Sequence, residues 1–201
     1  SYVSIEEMNA NAPYDLALDA NLTAYGNTGV ADLITVRQSG ANLIVERTGA
    51  PIAPDNDDVG VIFQGAIAQI QSFTYTGSAD NDTLTVSDVG GLPQFGGTAP
   101  GIPDNANLAG VGSILFDGNG GSDDLVFNLT GANAALTYAI GSGTGAAGNE
   151  GELLATVGAQ SLQAYFVDTE LTERTGTGAT PGSLQVIGDA GRRRPVWFRK
   201  Y

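Results

Sequence analysis

The chain has 201 residues, of which 42% are hydrophobic and 29 are glycine, and its net charge is −14 without a single cysteine or histidine. This length allows one large domain or two small ones. The two missing residue types exclude disulfides, thiol nucleophiles, zinc fingers and imidazole acid–base chemistry. The acidic balance argues against nucleic acid and anionic membranes as partners, because both would repel the chain.

The chain reads as three parts. Residues 1–20 are a mixed N-terminal segment, in which 5–8 could begin a helical turn that Pro13 limits. Residues 21–191 alternate short runs of Thr, Val, Ile and aromatic residues with turn residues, which predicts a single all-β domain. Residues 192–201 form a basic, aromatic tail.

The β domain is predicted to contain many short strands joined by polar loops. The expected strands cover 32–37, 42–47, two within 61–76, 83–86, 113–116, 124–129, 135–140, 152–157, 161–168 and 183–187, with a last one at 195–201 in the tail. The expected loops cover 50–60, 88–112, 141–151 and 172–182. The acidic stretch 55–58 within the first loop is predicted to be solvated.

One pattern recurs three times, at residues 75–86, at 116–127 and more loosely at 25–36. Each copy runs from an aromatic residue through a Gly-rich acidic corner into an alternating apolar stretch. This order predicts a strand, a tight turn and another strand. Its repetition favours an irregular parallel β-helix (β-solenoid) with Gly/Asp-rich corners and long loops, and a β-sandwich is the alternative.

The acidic corners are candidate calcium sites. Glycine allows a sharp turn, while Asp and Asn supply the short oxygen ligands that Ca²⁺ prefers. The candidate ligands are Asp80, Asp82, Asp117, Asn119, Asp123 and Asp124. Because 41 residues separate Asp82 from Asp123, the two corners can share an ion only if they stack. The alternative is that these residues form ordinary Asx turns.

The corner sequences also resemble a known family. The stretches 118–125 and 80–84 look like degenerate forms of the glycine- and aspartate-rich nonapeptide of RTX (haemolysin-type) calcium-binding proteins. Residues 22–187 are similar in style to large bacterial cell-surface proteins with irregular β-helices. The resemblance implies secretion, a β-solenoid and calcium-assisted stability.

The same resemblance assigns roles to particular corner residues. It places Asp82 and Asp123 at the ligand aspartate of the nonapeptide, and Gly118 and Gly121 at its turn glycines. The chain departs from tandem arrays of nonapeptides, because long segments separate its copies.

The tail carries a charge opposite to that of the body. Residues 1–191 hold all 22 acidic side chains and only three basic ones, so five basic residues are left for the last ten positions. We expect this tail to dock on the acidic body of a neighbouring subunit, which would give head-to-tail polymers. The alternatives are a cap on its own body or an anchoring element. The predicted interface residues are Arg192, Arg193, Arg194, Val196, Trp197, Phe198, Arg199 and Lys200.

The function predicted from these patterns is structural rather than enzymatic. The sequence contains no nucleophile elbow, P-loop, zincin motif or Rossmann fingerprint. We expect a subunit of a secreted or surface-attached extracellular fibre, sheath or layer, with calcium as the one expected cofactor. The alternative is an adhesive or carbohydrate-binding module of a larger secreted protein.

Two further expectations concern the surroundings of the chain. No apolar run is long enough to predict a membrane-spanning helix. Glycans are a further class of partner under the adhesive-module alternative, through exposed Tyr side chains and the Gly-rich loops 88–112 and 141–151. Asn21, Asn81 and Asn128 each begin an Asn-x-Thr sequence, which only an organism with glycosylation machinery could modify.

Overall fold

The computed structural model describes residues 13–20, 31–49, 59–96, 114–131, 134–140, 151–169, 171–175 and 184–187. These residues form thirteen strands and one 3₁₀-helical turn, Ile67–Gln69. The strands are β1 Tyr14–Asp19, β2 Leu33–Ser39, β3 Asn42–Thr48, β4 Gly60–Ala66, β5 Ile70–Thr76, β6 Thr83–Ser87, β7 Ile114–Asp117, β8 Asp124–Asn128, β9 Ala135–Ile140, β10 Gly151–Val157, β11 Gln160–Val167, β12 Leu171–Thr175 and β13 Leu184–Ile187.

The strands form two mixed sheets, so the predicted all-β class is confirmed. The first sheet has the order β1-β5-β7-β11-β10-β9-β13, and the second has the order β12-β8-β6-β2-β3-β4. The arrangement is sandwich-like, with apolar side chains of both sheets in one shared core. Within the described ranges, no helix has the length and apolar character needed to cross a membrane.

Each sheet contains a column of four parallel strands. In the first sheet β1, β5, β7 and β11 pair in parallel, and in the second β2, β6, β8 and β12 do the same. Among the described strands, a first-sheet strand is followed along the chain by a second-sheet strand four times, at β1–β2, β5–β6, β7–β8 and β11–β12. Antiparallel strands extend each column at one end: β10 and β9 follow β11, while β3 and β4 follow β2.

Alternation along the strands produces the core. In β8 the side chains of Leu125 and Phe127 point inward, and the parallel register places them beside Leu84 and Val86 of β6. In the first sheet Tyr75 lies beside Phe116, and their rings stack with centroids 5.5 Å apart. Burying one such side chain contributes about 1.5–3 kcal/mol. The apolar alternation that predicted the strands is therefore also what joins the two sheets.

A short segment after β6 covers the gap between the sheets at the side away from the corners. Leu92 is fully buried, and its backbone N–H donates to the side chain of Gln160 at 3.1 Å. The N–H of Gln94 donates to the side chain of Gln38 at 3.0 Å, and the N–H of Gly96 donates to the carbonyl of Ile70 at 2.9 Å. The first third of the predicted 88–112 loop is therefore part of the packed structure.

Several predicted boundaries are corrected. Strand β1 lies within the predicted N-terminal segment 1–20, yet it pairs with β5 in the first sheet. The prediction of a loop over 172–182 is wrong for its first residues, because they belong to β12. The predicted helical turn at 5–8, the aromatic residue Tyr25 of the loosest repeat copy and the predicted strand 195–201 lie outside the described residues.

Candidate functional site

The corners between the two sheets stack on one another. The N–H of Gly77 donates to the carbonyl of Asp117 at 2.7 Å, and the N–H of Gly118 donates to the carbonyl of Val167 at 3.0 Å. The N–H of Ala20 donates in the same way to the carbonyl of Thr76 at 2.9 Å. The two corners predicted to bind calcium are therefore neighbours, which is the condition that sequence spacing left open.

Three aspartates immediately before β2, β6 and β8 link the corners, and we call them the aspartate ladder: Asp32, Asp82 and Asp123. The backbone N–H of Asp32 donates to Oδ1 of Asp82 at 2.8 Å, and the N–H of Asp82 donates to Oδ1 of Asp123 at 2.8 Å. Asp32 is 4% exposed, while the other two are fully buried. The carboxylates of Asp82 and Asp123 thus each bind the backbone of the preceding corner.

The second oxygen of Asp82 is also occupied. Its Oδ2 accepts hydrogen bonds from the N–H of Ser78 at 2.5 Å and from the Ser78 hydroxyl at 3.1 Å. The backbone repeats the ladder, because the N–H of Thr83 donates to the carbonyl of Asp32 at 2.8 Å and the N–H of Asp124 donates to that of Asp82 at 2.9 Å. Hydrogen bonds to ionised acceptors are roughly twice as strong as neutral ones, so the ladder is a stabilising element of the corners.

Arg47 ends the ladder. It lies on an inward-facing position of β3, and its Nε donates to Oδ1 of Asp32 at 2.7 Å, with the two side chains 3% and 5% exposed. Burial raises the pKa of Asp32, and Arg47 opposes this by favouring the charged form. Sequence reasoning did not find this pair. The sequence feature that could have revealed it is an arginine two residues after Val45, a position at which strand alternation directs the side chain into the core.

A small cavity adjoins this ion pair. It is lined by Asp32, Arg47 and Tyr75 together with apolar side chains of β1, β2 and β4 and with Ala20. The Tyr75 hydroxyl is buried and has no hydrogen-bond partner in the described part of the chain. The pKa of Tyr75 is raised, first by burial and then by the negative charges of the ladder. The cavity is therefore mostly apolar, and its polar lining consists of an ion pair and one phenol.

Two of the corner glycines are explained by the close approach of the neighbouring corner. A Cβ on Gly77 would lie 2.7 Å from the carbonyl oxygen of Gly118 and 2.8 Å from Oδ2 of Asp82. A Cβ on Gly118 would meet the carbonyl oxygen of Asp168 and lie 2.7 Å from Oδ2 of Asp123. Glycine is required here because the next corner occupies the space of a side chain, and not because of a positive φ.

The outer parts of the two predicted calcium corners also interlock. The N–H of Ser122 donates to Oδ1 of Asn81 at 2.9 Å, and Asn119 adopts a φ of 67°. The N–H of Asn119 donates to Oδ1 of Asp117 at 3.1 Å. Burial raises the pKa of Asp117, and the charges of Asp168 and Asp19 add to the effect.

The six predicted calcium ligands fall into two groups. Asp82 and Asp123 are buried and accept backbone N–H groups, so an ion bound to them would have to replace these hydrogen bonds. Asp80, Asp117 and Asp124 are half-buried and Asn119 is exposed, on the outer side of the same corners. Among the residues with described positions, no group of three or more His, Cys, Asp or Glu side chains has the geometry of a metal site.

Asp88 is another buried acid with a structural role, and the sequence analysis did not identify it. It is 6% exposed, and its carboxylate accepts hydrogen bonds from the N–H of Thr130 at 2.8 Å, the Thr130 hydroxyl at 2.7 Å and the N–H of Gly131 at 2.7 Å. It joins the end of β6 to the residues after β8. The sequence feature that could have identified Asp88 is its position directly after an alternating strand, where an Asp often forms a turn.

The predicted subunit interface in the tail lies outside the described residues. It comprises Arg192, Arg193, Arg194, Val196, Trp197, Phe198, Arg199 and Lys200.

Comparison with models of protein families, with curated proteins and with solved structures finds no match for this chain.

Proposed function

We propose that the chain is a structural subunit of a secreted or surface-attached extracellular fibre, sheath or layer. The observation that carries this proposal is the repeated passage between two parallel columns of strands, joined by stacked corners. Among the described residues, the buried acids Asp32, Asp82 and Asp88 bind backbone groups or Arg47 instead of converging on a cleft. Such an arrangement suits a load-carrying scaffold better than a catalytic site.

The fold we propose is an irregular β-solenoid with inserted hairpins. Four strand–corner–strand units would be its successive turns, and β3–β4 and β9–β10 would be insertions that cover its ends. The registers support this, because Leu18, Tyr75, Phe116 and Phe166 occupy equivalent positions in four successive strands. The likeness of the corner sequences to RTX-type calcium-binding repeats belongs to the same proposal.

Two kinds of contact would join the subunits. Sheet edges present unpaired backbone groups to which another strand can be added. The tail, with five of the chain's basic residues, would bind the acidic body of the next subunit. A head-to-tail contact of this kind does not close on itself, so it propagates into a polymer.

Calcium remains part of the proposal as a stabiliser of the outer corner residues Asp80, Asp117, Asn119 and Asp124. Stacking brings their two turns together, as the Ser122–Asn81 hydrogen bond indicates. An ion that binds only the folded form raises the midpoint of thermal unfolding. Titration with Ca²⁺ against a chelator, with Mg²⁺ as the matched control, tests this, and an unfolding midpoint that ignores Ca²⁺ would remove calcium from the proposal.

Electron microscopy of negatively stained samples tests the assembly. The full chain is compared with a chain that lacks residues 192–201 and with one in which Arg192, Arg193 and Arg194 are replaced by serine. We expect polymers from the full chain and fewer or none from both variants, because the charge attraction is lost. Assembly that does not change without the tail would contradict the head-to-tail contact. A chain that stays monomeric and binds a glycan array would favour the adhesive module instead.

A further inference from the structure

The second sheet ends in an edge strand, β4, that lacks the charged side chains and the proline that often protect such edges. In the part of the chain that the structure describes, no strand pairs with its outer side. Natural proteins guard exposed edges with charged side chains, proline or bulges. Residues 59–76 contain no charged residue and no proline. The one irregularity in the pairing of β4 with β3 is a register shift opposite Val45 and Glu46.

Several side chains at this edge are exposed to solvent. Val59 is 40% exposed and Val61 is 56% exposed, and Gln64 and Ala66 are exposed as well. Ile62 and Phe63 pack partly against the core and hold the strand in place. An extended strand with these properties is a template for pairing with another chain.

Charge makes this edge different from the rest of the acidic body. Residues 31–49 carry four charges, and all four are internally paired: Arg37 with Glu46 at 2.7 Å, and Arg47 with Asp32 at 2.7 Å. Residues 59–76 add none. Two copies of a chain with a charge of −14 repel each other over most of their surface, but the charges within residues 31–49 and 59–76 cancel.

We propose that β4 is the site where two copies of this chain pair edge to edge, with the two β4 strands antiparallel. The sequence next to the strand supports this direction. Asp55, Asp57 and Asp58 directly precede Val59, so a parallel pair would bring two acidic segments together. An antiparallel pair places each of them beside the uncharged C-terminal end of the other strand.

This contact deepens the proposed self-assembly and rests on it, since both require copies of the chain to associate. An antiparallel pair of identical strands has two-fold symmetry and closes after two subunits. It would therefore join subunits in pairs, while the tail contact would propagate the polymer.

A charge at the edge tests the inference in the full chain. We expect sedimentation velocity over a concentration series to detect dimers of the wild type, and Val61→Lys to weaken the dimer by at least about tenfold. Val89→Lys is the matched control, because Val89 is 53% exposed, lies on a loop and makes the same change of net charge. Gln64→Lys is a second edge variant, in case Val61→Lys disturbs folding as monitored by circular dichroism.

Each result decides the question. Weaker dimers of both edge variants with an unchanged Val89→Lys support the inference. A wild type that stays monomeric, edge variants that still dimerise, or an equal effect of Val89→Lys would overturn it. Electron microscopy of the same variants separates the two proposals: wild-type polymers together with a dimer that Val61→Lys does not weaken refute only the β4 contact, whereas dimers without polymers refute only the fibre.

The direction of pairing has its own readout. The chain has no native cysteine, so Val59→Cys gives a single site for a nitroxide label. Parallel pairing would place the two labelled backbones about 5 Å apart, the spacing of adjacent strands. We expect a much longer distance in the antiparallel pair, because the labels then lie at opposite ends of the two strands. A short distance would refute the antiparallel arrangement.

Discussion

Arg47 donates through Nε to Oδ1 of Asp32 at 2.7 Å, and this buried ion pair closes one end of the aspartate ladder. The carboxylates of Asp82 and Asp123 accept the N–H of the preceding corner, but Asp32 belongs to the first described corner. An arginine from the neighbouring strand supplies its donor instead. The ladder is therefore terminated by a side chain of the β3 hairpin strand.

Replacing Arg47 should destabilise the fold strongly. Arg47→Met leaves Asp32 as a buried charge without its cation, and loss of one partner of a buried pair typically costs about 3–5 kcal/mol. Urea denaturation measures the loss. The matched control is Arg37→Met, because the Arg37–Glu46 pair is 28% and 27% exposed and should contribute only about 0–1 kcal/mol. Adding Asp32→Asn to Arg47→Met should restore part of the stability, and equal effects of Arg47→Met and Arg37→Met would contradict the role of the pair.

Asp82→Asn should weaken the ladder from its centre. An amide nitrogen in place of one carboxylate oxygen would face either the N–H of Asp32 or the N–H of Ser78, so a buried hydrogen bond is lost at a cost of about 1–3 kcal/mol. Asp80→Asn, two residues earlier on the half-buried part of the corner, is the control. Differential scanning calorimetry measures the midpoint of thermal unfolding, and a chelator in the sample separates the loss of this hydrogen bond from any effect of bound calcium. If both variants unfold like the wild type, the ladder does not stabilise the fold.

Gly118→Ala and Gly77→Ala should each be destabilising by about 1–3 kcal/mol, because a methyl group at either position overlaps the adjacent corner. Gly120→Ala is the control, since its Cβ would meet nothing closer than 3.9 Å. Chemical denaturation of the three variants checks the prediction. A loss at Gly120 as large as that at Gly118 would mean that backbone flexibility, and not close stacking, explains the glycines.

Acidification should stabilise the chain through Asp117. Burial raises its pKa in the folded form, so its contribution is fully present below the unfolded value of about 3.9 and is lost as the pH rises through the folded pKa. We expect the free energy of unfolding to increase as the pH falls from neutral into this window. Asp117→Asn should be more stable than the wild type at neutral pH and should gain less on acidification, because Asn cannot ionise.

Glu46→Gln gives the opposite control in the same titration. The hydrogen bond from Arg37 lowers the pKa of Glu46, so its contribution is present above the unfolded value and is lost as the pH falls through the folded pKa. Removing it should make the gain on acidification larger. Identical pH profiles of the wild type and Asp117→Asn would refute the assignment to Asp117.

The sequence predicted the strands well where alternation was clear. The predicted strands 32–37, 42–47 and 83–86 match β2, β3 and β6 closely, because each contains a run of Val, Ile, Leu or Thr next to turn residues. It failed for β12, where Thr172, Glu173 and Arg174 give a polar stretch without alternation. The parallel register with β8 determines this strand, and such long-range pairing leaves no local pattern.

The corners were predicted in part. The aspartates before β6 and β8 were identified as special, but their hydrogen bonds run to residues 41 and 50 positions away and could not be read from local spacing. The fourth corner was missed because Asp168 stands where Gly77 and Gly118 stand in the other corners, with a φ of 47°. In the first unit, the register places Leu18 opposite Tyr75, although the repeat pattern had suggested Tyr25 for the aromatic position.

The direction of the aspartate ladder has a consequence for the order of folding. The carboxylates of Asp82 and Asp123 come later in the chain than the backbone N–H groups that they accept from the preceding corner. The corner of Asp32 therefore stays incomplete until Asp82 has been synthesised, and the corner of Asp82 stays incomplete until Asp123 has been synthesised. Contacts over such separations slow folding, and emerging sheet edges are prone to aggregation in the meantime. A chain built in this way should therefore fold only after most of it is available, with the last units completing the first.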